Sequence, residues 1–425
     1  MARQRQCLWR ASIVIHSKTR RTKMGFAISK VIVRAELEKL KNALKDNDLQ
    51  DLSNKINEEL NSLNSTTLDI AVTGVTGTGK SSLVNALRGM SDYDNGAAKT
   101  GETETTIKPE KYTHPIFPNV TLWDLPGIGS PEFKANEYLE KIDFTKYDFF
   151  IIVTSERFTE NDTLLSNEIQ KMGKRYYFVR SKIDLSITSE KRSPYYICEE
   201  ESLEKIRKYC CDNLRKAGVS NPRVFLLSSW NLNAYDFPLL LNTLENELDD
   251  LKRQVIIESM PAFSKEALEK KKAAMEALIW KLALVSCAMP SESQDYAVFA
   301  PGLPPLGNVS FLVATMGKFC RVFGLDEESL GRLALRIGKP VEELKSAIKK
   351  APLASQITKE FVLRLAATSY ACRGPTAVEL ALDFIPDLGS LAGGMASFVA
   401  TFYMLKSFLS DVKEDAENVR AKATA

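Results

Sequence analysis

The sequence predicts an α/β fold, a mostly parallel sheet flanked by helices, together with an all-helical domain built from both chain ends. Short apolar runs end in polar segments, as buried parallel strands do where loops follow them. One such run, residues 68–73, precedes a glycine-rich loop and then a helical pattern. Residues 30–63 instead carry leucines and isoleucines near the helical period, with charges opposite.

Length and composition are those of an ordinary globular protein. The chain has 425 residues, of which 44% are hydrophobic and 26% charged, so it can bury a substantial core in two or three domains. Seven cysteines lack metal-ligand spacing, which indicates a reducing compartment. With two histidines in total, a histidine-based metal site is not expected, and we interpret His114 as a loop residue. We recognise no secretory signal.

Residues 74–81 read G-V-T-G-T-G-K-S, the pattern of a phosphate-binding loop. Its glycines let the backbone curl so that successive N–H groups point at phosphate oxygens. The following helix adds partial positive charge at its N-terminus. Lys80 would reach the β- and γ-phosphates, and the Ser81 hydroxyl would bind Mg²⁺. The segment therefore predicts a nucleoside triphosphate site.

A second apolar strand ends in the sequence Asp124-Leu125-Pro126-Gly127. An aspartate at the C-terminal end of a strand can hold the Mg²⁺ shell through water. The Gly127 N–H can contact the γ-phosphate and detect its loss. We therefore assign Asp124 to the metal site and Gly127 to the nucleotide.

The segment Ser181-Lys182-Ile183-Asp184 follows another strand and resembles the guanine-reading motif of GTPases. Asp184 would accept hydrogen bonds from guanine N1–H and N2–H₂. Adenine has neither donor there and would leave a buried carboxylate unpaired. Lys182 would lie along the base and brace the phosphate loop. Ser181 stands where asparagine or threonine is usual, which leaves the bracing role of its hydroxyl open.

A last strand, residues 223–227, runs into Ser228 and Ser229. These serines resemble the short loop whose backbone N–H contacts guanine O6. The motifs occur in the order of a Ras-like G domain, each at a strand end, and together they predict binding of GTP and GDP with Mg²⁺.

The polar segment 100–106 lies between the phosphate loop and Asp124 and is predicted to be a switch that orders on binding GTP. Thr106, or else Thr105, would close over Mg²⁺ and the γ-phosphate. Ras-like GTPases carry a water-positioning glutamine where this chain has Ile128. Hydrolysis is then very slow, or another group supplies the function. Glu104 is a candidate for it, and a solvated carboxylate is the alternative.

These considerations give three sets of candidate residues. The catalytic set is Glu104, Lys80 and Thr106, and the metal-binding set is Ser81, Thr106 and Asp124. The nucleotide-binding set is Gly74, Gly77, Thr78, Gly79, Lys80, Ser81, Ser82, Thr100, Gly127, Lys182, Asp184, Ser228 and Ser229.

Several stretches resemble the interferon-inducible immunity-related GTPases of vertebrates. The likeness spans roughly residues 30 to 350 and is carried by residues 100–106, 118–120, 123–130, 147–152, 225–228 and 322–330. Lys80 is similar to the lysine of the GKS effector-like members rather than to the methionine of the regulators. The resemblance implies a G domain set between helical elements from both chain ends.

The resemblance also implies a mechanism and a location. It implies slow hydrolysis by the monomer and faster hydrolysis on GTP-dependent self-association through G domains, with a switch glutamate matching Glu104 taking part. It implies a cytoplasmic protein acting peripherally on intracellular membranes: the endoplasmic reticulum, the Golgi or a pathogen-containing vacuole. Regulatory family members are expected partners, and nucleic acid is not.

The first 24 residues contain seven Arg or Lys and no acid. They resemble a mitochondrial transit peptide, or a basic arm for acidic lipids, or an extension upstream of the true start. We favour the last, because Met24-Gly25-Phe26-Ala27-Ile28-Ser29 fits the N-myristoylation pattern at Gly25. Residues 1–29 are accordingly predicted to be a disordered basic extension.

The remaining chain is predicted to form three parts. Residues 30–66 would be a helical segment packing on the C-terminal helices, residues 67–248 the G domain, and residues 249–425 the C-terminal helical domain. Within the G domain, the polar segment Ser186–Glu201 is predicted to be a loop.

Leu388–Leu405 has eighteen residues without a charge, just long enough to cross a bilayer. Its glycines also suit close helix packing. A buried core segment is the preferred interpretation, ahead of a membrane-associating segment and a true span.

Two functions other than an assembling immunity GTPase remain open. One is a nucleotide-gated scaffold that scarcely hydrolyses GTP, which Ile128 and Ser181 favour mildly. The other is a dynamin-like membrane remodeller without an immune role, which requires the apolar C-terminal stretch to insert in lipid.

Overall fold

The computed structural model describes residues 49–101, 106–129, 138, 142–232, 234–262, 264–289, 306–369 and 394–424. Within them, six strands form one sheet. The strands are β1 (Leu68–Gly74), β2 (Glu110–Thr113), β3 (Val120–Asp124), β4 (Phe149–Thr154), β5 (Arg175–Arg180) and β6 (Val224–Leu226).

The strand order across the sheet is β2-β3-β1-β4-β5-β6. The β2–β3 pair is antiparallel and all other pairs are parallel. Strands β1 and β4 occupy the centre, and β4 is buried along its whole length, as expected of a parallel strand covered on both faces. The predicted α/β class and the mostly parallel sheet are therefore confirmed.

Helices cover the sheet and make up the rest of the described chain. The first seven are α1 (Leu49–Ser65), α2 (Lys80–Leu87), α3 (Glu160–Lys171), α4 (Ile183–Glu190), α5 (Glu199–Lys216), α6 (Phe237–Glu247) and α7 (Asp250–Ser259). The others are α8 (Lys265–Ala288), α9 (Val309–Val322), α10 (Glu327–Ile337), α11 (Val341–Lys345), a helical run over residues 359–369 and α12 (Gly394–Thr424). The described residues after 249 contain helices and no strand, so the predicted helical C-terminal region is confirmed.

One local prediction is wrong and another is confirmed. The segment Ser186–Glu201 is not a continuous loop, because α4 extends to Glu190 and α5 begins at Glu199. His114 is a loop residue, as predicted, and it is buried, with 4% of its surface exposed. Its Nδ1 accepts hydrogen bonds from the backbone N–H groups of Ile116 and Phe117, both at 3.2 Å. The buried ring therefore provides the acceptor for two backbone donors of the turn between β2 and β3.

Aromatic side chains fill one face of the sheet and fix the loop after β3. Tyr138 is fully buried; its hydroxyl donates to the Pro126 carbonyl at 3.0 Å and lies 2.8 Å from the Thr73 hydroxyl. The Phe144 and Phe150 rings stack at 5.1 Å. Tyr138 therefore ties the segment before Gly127 to the central strand β1.

The chain divides into two compact units. One contains the described parts of Glu59–Glu276, Ala314–Ile357 and Phe408–Ala425, and so includes the whole sheet. The other contains the described parts of Met1–Glu58, Ala277–Val313 and Thr358–Ser407, and therefore groups the start of α1 with helical segments from the second half of the chain.

The apolar stretch Leu388–Leu405 is described from Gly394 onward, where it forms the start of α12. Phe398, Val399 and Leu405 are at most 6% exposed, as the core interpretation requires. A search of the described residues finds no helix that meets the length and hydropathy needed to span a bilayer. Residues 388–393 and the basic extension 1–29 lie outside the described residues.

Candidate nucleotide-binding site

A cavity of about 140 Å³ opens where the phosphate loop, the switch segment and the β5–α4 connection meet. Nine residues predicted from the sequence line it: Gly77, Gly79, Lys80, Ser81, Ser82, Thr100, Thr106, Gly127 and Lys182. Thr76 and Gly101 also line it and were not predicted. The other predicted residues, Gly74, Thr78, Asp124, Asp184, Ser228 and Ser229, lie off its wall and act through contacts described below.

The phosphate loop is held against the sheet by a close backbone approach. Gly74 has φ 142°, and a Cβ placed there would lie 2.1 Å from the Val153 carbonyl oxygen of β4, so a side chain cannot be accommodated. The Thr78 hydroxyl donates to the Val75 carbonyl at 2.9 Å. Lys80 Nζ donates to the same carbonyl at 3.1 Å, which places its ammonium over the loop.

Ser81, Thr106 and Asp124 come together at the end of β3. The Ser81 hydroxyl donates to Asp124 Oδ2 at 2.6 Å, and the Thr106 hydroxyl donates to the same oxygen at 3.0 Å. Asp124 Oδ1 is buried and has no hydrogen-bond partner among the described residues. Burial raises the pKa of the Asp124 carboxyl, while the Ser81 bond and the Lys80 charge oppose the rise.

These three residues fit a Mg²⁺ ion. They offer hydroxyl and carboxylate oxygens, the ligand type that Mg²⁺ prefers. The unpartnered Asp124 Oδ1 is the atom that such an ion, or its water, would satisfy. No group of three or more His, Cys, Asp or Glu side chains suited to a metal occurs in the described residues.

The β5–α4 connection braces the phosphate loop from the base side. Lys182 adopts a left-handed conformation with φ 52°, and its Nζ donates to the Gly77 carbonyl at 2.8 Å. The Ser181 hydroxyl donates to the Thr78 carbonyl at 2.5 Å and lies 3.1 Å from the Thr154 carbonyl. Serine at this position therefore supplies the bracing contact that the sequence left open.

Asp184 lies in the first turn of α4, directly after this brace. Its Oδ1 is buried without a hydrogen-bond partner in the described part of the chain. A guanine base offers the two adjacent N–H donors that a carboxylate here would accept. The backbone N–H of Ile183 donates to the Leu227 carbonyl at 3.1 Å, which joins this turn to the loop after β6.

Ser228 and Ser229 shape that loop from within. Ser228 is fully buried, and its Oγ accepts from the N–H groups of Trp230 and Asn231, both at 3.3 Å. The Ser229 carbonyl accepts from Arg336 Nη2 at 3.2 Å. These contacts hold the loop after β6 in place, and its contact with guanine O6 stays a prediction.

Ser82 has a bond of its own besides its place on the cavity wall. Its hydroxyl donates to Asp92 Oδ2 at 2.8 Å, and Asn85 Nδ2 donates to the other Asp92 oxygen at 2.8 Å. Asp92 therefore fixes the first turns of α2. Ser82 and Asp92 are ten residues apart in the chain, and the phosphate-loop motif does not predict their contact.

Gly127 and Ile128 connect the two phosphate-facing segments. A Cβ at Gly127 would lie 2.0 Å from the Thr76 hydroxyl oxygen and 2.7 Å from Thr76 Cα, so the two backbones touch. Ile128 pairs with Val75 as an isolated bridge, and its side chain is fully buried. The side chain at the position that holds glutamine in Ras-like proteins is thus packed in the hydrophobic core. Glu104 and Thr105 lie outside the described residues.

Comparisons with known proteins show the family of this chain. The family model described as Interferon-inducible GTPase (IIGP) matches residues 33–423. This chain belongs to the interferon-inducible GTPase family. Interferon-inducible GTPase 5 of Rattus norvegicus is 41% identical over 92% of this chain and 83% of its own length. Interferon-gamma-inducible GTPase 10 of Mus musculus is 37% identical over 92% and 89%.

Among solved structures, Toc33 from Arabidopsis thaliana in complex with Mg²⁺ and GMPPNP is 17% identical, with a TM-score of 0.31 over 43% of this chain and 78% of that chain. Membership of the interferon-inducible family rests on the matched residues and on the relatives, and it makes this chain a GTPase, which hydrolyses GTP to GDP and phosphate.

Proposed function

We propose that this GTPase hydrolyses GTP slowly as a monomer and faster when its G domains associate, and that it acts at intracellular membranes in cell-autonomous immunity. The observation that carries the proposal is Ile128. Its side chain is buried and its backbone is bridged to Val75, so it cannot orient water, while the predicted phosphate-loop, Asp124 and Lys182 residues lie around one cavity or contact its wall. Among the described residues the site lacks a water-positioning group, and a second molecule bound against it would supply that group.

Five described residues would act on the triphosphate or on its metal ion. Lys80, 7% exposed, supplies positive charge to phosphate oxygens in a poorly solvated loop, where charge stabilisation is strongest. The Gly127 N–H and the Thr106 hydroxyl lie on the same cavity wall. Ser81, Thr106 and Asp124 would hold Mg²⁺, which neutralises developing phosphate charge when bound.

The Ser181 contacts bear on the scaffold alternative. Ser181 was one of two residues that favoured a protein with little hydrolysis, yet its hydroxyl braces the loop at 2.5 Å. The brace removes that reason and leaves Ile128 as the one residue that favours the scaffold alternative.

The decisive experiment measures GTP turnover per molecule against protein concentration. We expect the specific rate to rise over a hundredfold concentration range, because the catalytic site is completed by association. A rate that stays flat over that range would reject the assembly mechanism and leave a scaffold or a simple slow GTPase.

The contribution of the switch glutamate is tested by Glu104→Ala, with Glu102→Ala as the matched control in the same segment. We expect Glu104→Ala to lower turnover about a hundredfold at high protein concentration, the range typical of a lost general base, and Glu102→Ala to leave it unchanged. Equal rates for the two variants would remove Glu104 from catalysis.

The immune role is proposed from the relatives, whose names describe interferon-inducible GTPases and an immunity-related GTPase family M protein 1. Membrane action is proposed from the myristoylation pattern at Gly25 and the family resemblance of the sequence. Family members of the regulator type are the proposed partners besides a second copy. Co-sedimentation with liposomes, compared between protein acylated at Gly25 and a Gly25→Ala variant made from a start at Met24, tests the membrane part. Pelleting of neither protein would contradict it.

A further inference from the structure

A second and larger cavity lies in the same compact unit as the sheet and shares no lining residue with the nucleotide site. Its volume is about 320 Å³, at the lower end of the range of about 300–1,000 Å³ typical of small-molecule sites. Its walls come from the end of α2, the β2–β3 turn, the loop after β6, the α7–α8 turn, α9, α10 and the end of α12.

The wall of this cavity is strongly basic. Six of the described residues that line it are basic and one is acidic. The acidic residue, Glu258, forms an ion pair at 2.8 Å with Lys318, which is not on the wall. The basic residues are Arg88, Lys271, Arg321, Arg332, Arg336 and Arg420.

Several of these cations are buried against neutral partners. Lys271 is 2% exposed, and its Nζ donates to the carbonyls of Ile257 at 2.9 Å and Glu258 at 2.6 Å. Arg88 is 6% exposed and donates to the carbonyls of Thr113 and Gly96, both at 3.1 Å. Carbonyls satisfy hydrogen bonds but do not cancel charge, so the field of these cations extends into the cavity.

The pKa values of two groups on the wall reflect burial beside these cations. Burial lowers the pKa of Lys271 to about 7, with Glu258 opposing the shift. Burial, followed by the charges of Lys271, Arg332 and Arg88, lowers the pKa of His114 to about 3. Burial also lowers the pKa of Arg88, and a bound anion would offset the cost of burying the Lys271 and Arg88 charges.

The rest of the wall is apolar. It is formed in part by Met260, Leu268, Val322, Phe323 and Val419, each at most 5% exposed. An inorganic anion would leave this surface in contact with water, whereas a hydrocarbon chain would bury it, at about 25 cal/mol per Å².

We propose that this cavity is a binding site for a small amphipathic anion. Arg332 is paired with Glu328 at 2.6 Å, so the carboxylate or phosphate would lie against Lys271 and Arg88, and the hydrocarbon part would lie along the apolar wall. A ligand with only one of these parts would not match the lining. The cations of the wall need an anionic headgroup, and its apolar side chains need a hydrocarbon chain to cover them.

The test is isothermal titration calorimetry of the full chain with four probes. Decanoate and decyl phosphate carry both features, decanol has only the chain, and inorganic phosphate only the charge. We expect saturable one-site binding of at least one amphiphile, and at least tenfold weaker binding of decanol and of inorganic phosphate. The proposal would be overturned if decanol or inorganic phosphate bound as tightly as the amphiphiles. It would also be overturned if neither amphiphile showed saturable binding. The stronger of the two amphiphiles identifies the headgroup.

Two variants locate the site. Lys271→Met keeps the buried stem and removes the charge, and we expect it to weaken amphiphile binding at least tenfold. Ala423→Trp adds bulk from the last turn of α12, where Ala423 lines the cavity, and should abolish binding. Ala421→Trp is its matched control, because Ala421 is exposed on the same turn and off the wall.

GDP binding, measured for each variant, shows that the nucleotide site is still folded. If Lys271→Met fails that check, the two tryptophan variants still decide the matter. Equal amphiphile affinity of Ala423→Trp and Ala421→Trp would refute the assignment, and this outcome does not depend on whether the GTPase is activated by assembly.

Discussion

At the scale of single residues, Asp184 is the group expected to select the base. The Lys182 and Ser181 contacts hold the turn before it, and its Oδ1 is left buried without a partner in the described chain. A buried carboxylate oxygen without a donor is costly. We therefore expect the site to favour a base with two adjacent donors over one without them.

Exchanging Asp184 for Asn replaces an acceptor by a donor. We expect Asp184→Asn to weaken GDP binding at least about a hundredfold, since two hydrogen bonds to a charged acceptor are lost, and to improve binding of xanthosine diphosphate, which presents a carbonyl. Fluorescent nucleotide titration measures both affinities. The exposed neighbour Leu185, changed to Asn, is the control and should leave GDP affinity unchanged. Unaltered GDP binding by Asp184→Asn would refute the assigned base contact.

His114 makes a prediction about pH. Its folded-state pKa of about 3 lies below the unfolded value of about 6.5, so the fold favours the neutral ring. The stabilisation is fully present above about pH 6.5 and is lost as the pH falls toward 3. Between about pH 7 and pH 5 the loss from this residue is about 2 kcal/mol.

The variant His114→Asn tests this slope. Its side-chain oxygen can accept the two backbone N–H bonds that Nδ1 accepts, but it cannot be protonated in this range. Urea unfolding at several pH values should show a shallower loss of stability on acidification for the variant. Parallel curves for the two proteins would mean that His114 does not titrate as its burial implies.

At the scale of secondary-structure elements, a buried carboxylate joins α12 to the segment after α11. Asp415 is fully buried and accepts from the backbone N–H groups of Lys349, Lys350 and Ala351, at 3.0, 2.7 and 2.7 Å. Three donors that would otherwise be unsatisfied converge on one side chain. The contact explains how a helix at the end of the chain stabilises a turn about 65 residues earlier.

Asp415→Asn places an amide group against those donors and should destabilise the fold by about 2–4 kcal/mol, because at least one buried N–H loses its acceptor. Chemical denaturation measures the change. Glu414→Gln, which alters an exposed ion pair with Lys350, is the control, with an expected effect below about 0.5 kcal/mol. Similar midpoints for both variants would show that the Asp415 bonds contribute little.

The elements were predicted best where they carry a local pattern. The strands β1, β3, β5 and β6 lie where apolar runs placed them, because burial leaves a continuous signal. The helix α4 beyond Ser186 and the first residues of α5 were missed, since their polar residues and the nearby Pro194 resemble a loop when read locally. Their buried faces, including Ile187 and Leu214, are defined only by the sheet they cover.

At the scale of the whole molecule, the proposed mechanism predicts a change of oligomeric state. Sedimentation velocity should show a monomer with GDP and a dimer or larger species with a non-hydrolysable GTP analogue. Lys80→Ala, which removes the phosphate-binding ammonium, should remain monomeric in both. A single species in all conditions would contradict assembly through the nucleotide-bearing face.

The sequence alone determined the nucleotide chemistry. The phosphate loop, the metal aspartate and the guanine-reading segment are each short, contiguous and ordered along the chain, so their residue types carry the information. Tertiary structure alone decided how they are connected. The bond of Ser181 to Thr78, the sharing of Asp124 between Ser81 and Thr106, and the basic cavity join residues distant in the chain. Such contacts depend on how elements pack in space, and no local pattern encodes them.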